Sequence, residues 1–462
     1  MKYGERRTVL SLALLYAMRM LGLFMILPVL SLLGRSLEGA NGFLIGLAMG
    51  SYGLSQALLQ VPYGFLSDRF GRKKMLVIGL LIFAAGSAVA ALSESIYGVI
   101  AGRFLQGAGA IASVLMALLS DLTTEENRTK AMAVIGMSIG VSFSVALVVG
   151  PVISGWAGLS GLFWLTAGMA FVGILIVVYV IPTPVTRTQS RDALPVTSLM
   201  WEAISHPELR RLDVGVFALH MSLTALFVVV PLSLVNQFHL VKSEHWWIYL
   251  SVMGTSFFAM IPFIVIAEKK RKMKPVFLGA IALASLSCLS LLVMDKSLTE
   301  FWVGLFFFFM AFNLLEASLP SLVSKIAPAG GKGTAMGIYS SSQFFGAFVG
   351  GAAGGAIFHK FGTPYVFGLC GGMLALWFMY AATMKAPSYA TSLMVRLSSS
   401  SDKLDPEHLS SELLAIYGVE DVVVILEEHV AYLKVDKAKF KLEEIHHYPP
   451  FASGKCFVGE PA

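Results

Sequence analysis

The sequence predicts an all-α membrane protein of twelve transmembrane helices in two six-helix halves, with a small α+β domain at its C-terminal end. Three observations predict this: a composition too apolar for a soluble chain, loop charge that alternates along the sequence, and an internal repeat. Of 462 residues, 56% are hydrophobic and 13% charged, against about 25% charged in soluble globular chains. The mean hydropathy is +0.75. This excludes a soluble enzyme with an ordinary core. It also excludes a nucleic-acid-binding protein, because the net charge of +6 is spread over loops.

The first apolar run, 8–33, carries a single charge, Arg19, and exceeds the roughly 20 residues that a bilayer-spanning helix needs. It is too long for a signal-peptide core and lacks a following small-residue cleavage site. Runs near 42–66, 75–93, 97–120, 130–156 and 161–182 complete one set of six. Runs near 211–235, 246–267, 275–294, 299–323, 333–358 and 363–383 form a second. Loops numbered alternately place 21 of the 34 basic residues on one side and 4 on the other. Lys/Arg excess marks cytoplasmic loops, so an even number of passes with both termini cytoplasmic is expected. Residues 392–462 hold 19 charges, against 43 in the preceding 391, so the C-terminal stretch reads as soluble. The expected units are therefore halves over 1–182 and 210–384, a Pro-bearing cytoplasmic linker over 183–209, a short linker over 385–391, and a soluble domain over 392–462.

The halves look duplicated. Leu115, Ala117, Leu119 and Leu122 recur 200 positions later as Leu315, Ala317, Leu319 and Leu322, and Asp68 recurs as Glu268, each beginning a basic loop. A parallel repeat of this kind places a substrate site between the halves at mid-depth. Ionisable residues inside spans are costly and are functional candidates by default. Here they are Arg19, Arg103 and Glu316, with His220 and the polar Gln106 and Asn313. Glu316 is the first choice for a coupling or cation site, with His220 able to share the proton. The alternative is a structural ion pair of Arg19 or Arg103 with Glu316. Phe306–Phe309 run round the helix, so at most half can face a pocket, and most are expected to face lipid. The glycines Gly346, Gly350, Gly351, Gly354 and Gly355 suit close helix packing.

The loop after the second span reads Gly64-Phe-Leu-Ser-Asp68-Arg69-Phe-Gly71-Arg72-Lys73-Lys74, and resembles motif A of the major facilitator superfamily. Gly102-Arg103-Phe-Leu-Gln106-Gly107 resembles the fourth-span signature of its drug/proton antiporter branch. Gly150-Pro151-Val-Ile-Ser154-Gly155 partly resembles that branch's motif C, with Ser154 for the first glycine of the pair and Ala146 at a position usually glycine. The resemblance implies a bacterial inner-membrane protein with the superfamily fold. In such proteins the motif A carboxylate, here Asp68, meets the helix beginning span 11, near Gly333 and Thr334. The motif's arginine, Arg72, pairs with the acidic Asp121, and the cluster latches the halves on the cytoplasmic side while the cavity faces outward. The alternative is that these charges only set topology.

In the tail, alternation over 392–397, helical spacing over 405–417, and apolar strands over 419–427 and 430–435, then a helix near 438–447, give a ferredoxin-like order without a clear last strand. It resembles metallochaperone domains in fold, but Ser398–Ser401 replaces their CxxC loop. His446, His447 and Cys456 are too loosely spaced for a metal site, so no metal or cofactor is expected. The tail is expected to regulate or self-associate. No GxxxxGK[ST], HExxH or GxSxG segment occurs, so neither ATP drive nor enzymatic chemistry is expected. The reading is a proton-coupled exporter of a small lipophilic or cationic compound, its partners being substrate, protons and the bilayer. A nutrient facilitator or proton symporter, and a transporter-derived sensor signalling through the tail, remain open alternatives.

Overall fold

The computed structural model describes residues 3–123, 125–183, 197–293, 297–328, 331–385, 390–397, 405–425, 430–436 and 439–440. The first half holds α1 (Tyr3–Phe24), α2 (Leu27–Leu33), α3 (Gly42–Phe70), α4 (Arg72–Leu92), α5 (Ile96–Ala108), α6 (Ala112–Leu122) and α7 (Glu125–Leu175). A short α8 (Thr197–Ser205) lies in the linker, with Trp201 exposed. The second half holds α9 (Pro207–Asn236), α10 (His245–Lys269), α11 (Met273–Ser290), α12 (Leu298–Ile326), α13 (Lys332–Phe361) and α14 (Thr363–Ala382).

Among the described residues, ten stretches are long and apolar enough to cross a membrane. One of them, Lys130–Val180, covers most of α7, which bends at Gly158 (φ 65°, ψ −167°) and so makes two passes. The thirty-residue α13 has the length of a pass, its hydropathy lowered by its glycines and serines. Among the described residues this makes twelve passes, as the sequence predicts.

Two passes are broken where the sequence shows only continuous apolar runs. The first breaks between α1 and α2, just before Pro28, which has no N–H to continue the helical ladder. A Cβ on Gly150 would strike the Met25 backbone at this break, so α7 packs there at a distance only glycine permits. The fourth pass breaks at Gly109, between α5 and α6. There Gly107 lies on the backbone of Tyr52, and Gly109 on that of Gly79.

The halves share a core at one end only. Ile26, Leu30, Ile45, Met49, Phe143 and Leu147 of the first half belong to the same buried cluster as the second half's core. Val9, Leu12, Leu76, Leu80, Leu115 and Leu118 form a separate core belonging to the first half. The shared end lies away from the basic loops and is called the outer end below. There α3 and α13 run antiparallel in backbone contact. A Cβ on Gly50 would lie 2.6 Å from the Phe348 carbonyl oxygen, and one on Gly355 2.6 Å from that of Gly42. Gly346, Gly350 and Gly354 instead face Phe217, Met221 and Ala225 of α9, so the glycines of α13 serve two neighbours.

The Phe306–Phe309 run differs from expectation. Phe308 and Phe309 are buried, and Phe306 stacks on Trp302 with ring centroids 5.6 Å apart. Only Phe307, 40% exposed, faces outward. Neighbouring helices enclose α12 on more than one side.

The C-terminal domain contains β1 (Ala390–Arg396), α15 (Pro406–Leu414), β2 (Val419–Ile425) and β3 (Val430–Asp436), in sheet order β1-β3-β2 with both pairings antiparallel. Leu433 pairs with Leu393 on one side and Val422 on the other. Leu409 and Leu413 of α15 cover that face. This is the split βαβ core of a ferredoxin-like fold, and β1 starts two residues before the expected 392. The expected turn at Glu428 and His429, the second helix, the Ser398–Ser401 loop, and His446, His447 and Cys456 lie outside the described residues. The domain sits against the second half at the basic face, where Lys434 Nζ donates to the Ile326 carbonyl (3.1 Å) and Asp436 faces Arg271 (3.6 Å).

Candidate functional site: three polar clusters

The motif A cluster forms where α3 ends. Gly71 takes φ 99°, in the region where glycine is favoured, and its N–H donates to the Ser67 carbonyl (3.0 Å), stopping the helix. That turn points Arg72 back into the bundle. Its Nε donates to Asp121 Oδ2 (3.0 Å), Nη1 to Ser67 Oγ (2.7 Å), and Asp68 lies 2.5 Å from Nη1. The Arg72 and Asp121 side chains are 4% and 1% exposed, whereas Asp68 is 36% exposed. Burying a charge without a partner is expensive, so Asp121 is the partner that makes the position of Arg72 tenable. Arg69 stays outside the cluster, exposed, over the Phe70 ring. Lys73 Nζ donates to the Ile181 carbonyl (2.8 Å) at the end of the sixth pass. The closest neighbour of a Cβ on Gly64 would be Ser113 of the same half, at 3.7 Å, so Gly64 does not mediate a close approach to the other half. The second half has its own charged pair in the corresponding place, Glu268 with Lys325 (2.9 Å).

A second cluster fills the first half at mid-depth. Arg19, 2% exposed, donates from Nη2 to Gln56 Oε1 (2.6 Å) and to the Gly109 carbonyl at the helix break (3.1 Å), which also accepts from the Ile111 N–H (2.8 Å). Gln56 Nε2 donates onward to Gln60 (3.0 Å). Arg103, fully buried, donates to Gln106 (2.9 Å), whose amide donates to Ser87 (2.7 Å). The Tyr52 ring lies between the guanidiniums, 5.9 Å from Arg19 and 5.1 Å from Arg103, a cation–π arrangement on both sides. The pairing of either arginine with Glu316 is therefore corrected: both are held by amides, carbonyls and a ring of their own half. Arg19 Nε and Nη1 and Arg103 Nη2 are buried without a hydrogen-bond partner.

The third cluster joins α9, α12 and α13. His220 Nδ1 lies 3.2 Å from the Val216 carbonyl. A carbonyl can only accept, so Nδ1 carries the proton and Nε2 of the neutral ring accepts from Gln343 Nε2 at 2.8 Å. The same Gln343 amide donates to Glu316 Oε1 (3.1 Å), and Glu316 Oε2 stands 3.7 Å from His220 Nε2. A proton arriving on His220 Nε2 turns this acceptor into a donor. It then repels the Gln343 amide and favours the carboxylate. Phe312 lies beside the imidazole at 5.8 Å, and Phe143 of the first half meets Phe227, Phe309 and Phe312 across the seam. Asn313 donates to Ser256 (3.2 Å), tying α12 to α10.

The structure thus brings Glu316 and His220 together, joins Arg103 to Gln106, and keeps Asn313 apart. Gln56, Gln60, Ser87, Tyr52 and Gln343 were missed by sequence reasoning. The amides inside apolar runs were the available signal, since they carry the same burial cost as the residues that were chosen. In motif C, Gly150 packs on the first-pass break while Gly155 faces open space and Ser154 bonds its own helix at Pro151 (3.0 Å).

Comparison with known proteins bears on all of this. The Major Facilitator Superfamily profile matches residues 12–212 and 212–397, and the YajR YAM domain profile matches 396–444. The chain is 46% identical over 448 residues to the inner membrane transport protein YajR of Escherichia coli (strain K12), covering 96% of this chain and 97% of that one. It is 25% identical to the multidrug resistance protein MdtH of Aeromonas salmonicida (strain A449), over 73% and 84% of the two chains. Among solved structures, a bacterial homologue of the human lysosomal transporter Spinster, in an inward-facing and unoccupied conformation, shares the fold with a TM-score of 0.66 at 14% identity, over 83% of this chain and 98% of that one. The motifs, the twelve passes and these matches agree: the chain belongs to the major facilitator superfamily, whose members are transporters and not enzymes.

Proposed function

We propose that this transporter exchanges protons for a small lipophilic or cationic compound by alternating access, exporting the compound across the bacterial inner membrane with both termini in the cytoplasm. The observation that carries the reading is the His220–Gln343–Glu316 cluster. It is a titratable pair at mid-depth, bridged by one amide, on three helices of the half opposite the two buried arginines. Protonation redistributes its hydrogen bonds among α9, α12 and α13. The Glu316 carboxylate attracts a cation when its proton leaves, so proton and substrate compete for one charge. Motif A supports an alternating-access cycle: Asp68, Arg72 and Asp121 meet at the cytoplasmic end of α3 in this outer-closed state, and neutralising Asp68 shifts the balance between states. The multidrug name of the MdtH relative agrees with this direction. The boundaries expected at 182, 210, 385 and 392 serve as the working division into two halves, linker and regulatory tail.

A second reading has its own observation. Arg19 and Arg103 are buried guanidiniums held without a carboxylate, which suits an anionic nutrient carried inward with protons. The two readings are separated by loading proteoliposomes with an acid interior and adding compounds outside. Lumenal alkalinisation on adding a lipophilic cation supports exchange. Proton uptake together with an organic anion supports symport. In either case Glu316→Gln abolishes the proton signal, and a variant with full proton-coupled flux refutes the assignment.

A further inference from the structure

Arg19 and Arg103 put two fixed positive charges inside the first half, and among the described residues no carboxylate lies within ion-pair distance of either. A guanidinium keeps its charge across the physiological pH range, and a buried charge without a counter-charge is costly. The hydrogen-bonding groups are unevenly matched as well. Arg19 Nε and Nη1, Arg103 Nη2 and the Tyr52 hydroxyl are buried without a partner, and each of them can donate. Arg19 borders a cavity of about 10 Å³, close to the least that holds one particle the size of a water molecule. The rest of the wall is apolar: Leu15 and Met18 of α1, Leu80 and Phe83 of α4, and Met169 and Ala170 of α7. The Phe83 ring lies 5.9 Å from the guanidinium carbon, which places the charged end of Arg19 at this wall. A water molecule there would find donors on Arg19 but no side-chain oxygen to accept its own hydrogens, whereas a buried water makes about two to four hydrogen bonds. An anion has no hydrogens to place and supplies the missing charge.

We infer that this cavity holds a single chloride-sized inorganic anion as the counter-ion of Arg19. Met18 and Met169, unbranched and adaptable, yield the small extra room that a halide needs over water. Anions that carry an organic chain are too large for the space. The inference rests on neither reading of the transport cycle, because the ion neutralises a fixed charge of the fold and is not the cargo. With the ion in place, the first half presents one fixed positive charge fewer to whatever crosses beside it.

The test is equilibrium dialysis of the full chain, purified in detergent in sodium gluconate, against radioactive chloride. Wild type is expected to bind chloride saturably, and Arg19→Leu to weaken that binding about tenfold or more, as loss of a charge-assisted contact implies. Ala170→Val, which narrows the cavity and leaves the guanidinium in place, should weaken it too. Lys360→Gln, an exposed charge at the outer end, should bind as wild type does. Bromide should compete for the site, and acetate, too bulky for the cavity, should not. If Arg19→Leu does not stay monodisperse, Ala170→Val and the acetate competition carry the test. Absence of chloride binding in wild type, or binding by Arg19→Leu or Ala170→Val equal to wild type, overturns the inference. Displacement by acetate makes the site one for carboxylates and overturns it as a halide site.

Discussion

Replacing Asp121 by alanine removes the acceptor that holds Arg72, and the structure sets the size of the effect. Both side chains are almost completely buried, and the remaining partners are Ser67 Oγ and the half-open Asp68. Breaking a buried pair at one end costs about 3–5 kcal/mol, because the survivor is left charged in a poor solvent. Asp68→Asn keeps an oxygen acceptor at a position more than a third exposed, where an ion pair contributes about 0–1 kcal/mol. The two variants should therefore differ by more than about 2 kcal/mol. In a detergent melt followed by retention of monodisperse protein, Asp121→Ala should lower the midpoint by about 5 °C, with Asp68→Asn close to wild type. The double variant Arg72→Met/Asp121→Leu, which removes both charges, should recover most of the loss. If Asp68→Asn falls as far as Asp121→Ala, or the double variant is no better than the single one, the assignment of Asp121 as the essential partner is wrong.

Gly50→Ala should keep the outer end from closing, because its Cβ would lie 2.6 Å from the Phe348 carbonyl oxygen; maleimide labelling of a cysteine placed at Ala48 should rise, whereas Gly155→Ala, facing open space, should leave labelling unchanged. Cys288 and Cys370 are buried and should stay unlabelled by a bulky maleimide until denaturation, read site by site by peptide mapping. Lys434→Ala removes the donor to the Ile326 carbonyl and should speed proteolytic release of the C-terminal domain by several-fold without altering the melt of the membrane part; unchanged release would mean that this contact does not hold the domain.

The passes were legible because run length and loop charge are local properties, and the motif A pair was legible by resemblance. The break at Gly109 was not, since the apolar pattern runs straight through it and the interruption depends on how closely Gly107 and Gly109 approach Tyr52 and Gly79. That break bears on Arg19, because the guanidinium shares the Gly109 carbonyl with the Ile111 N–H there. Matching charges by sign paired the arginines with Glu316. The fold instead gives them neutral acceptors, Gln56, Gln106 and the Gly109 carbonyl, and leaves three of their nitrogens without a hydrogen bond. His220 and Glu316 stood out as ionisable residues within apolar runs, but the amide that joins them, Gln343, is visible only once α13 is placed between α9 and α12.

Internal pH in proteoliposomes with an acid-inside gradient tests the central claim most directly. When lipophilic cations are added outside one at a time, wild type should alkalinise the lumen in response to at least one of them, whereas protein-free vesicles and Glu316→Gln should be silent. A proton signal of wild-type size in Glu316→Gln, or no signal from correctly oriented, folded wild type across the panel, would contradict proton exchange at the His220–Gln343–Glu316 cluster.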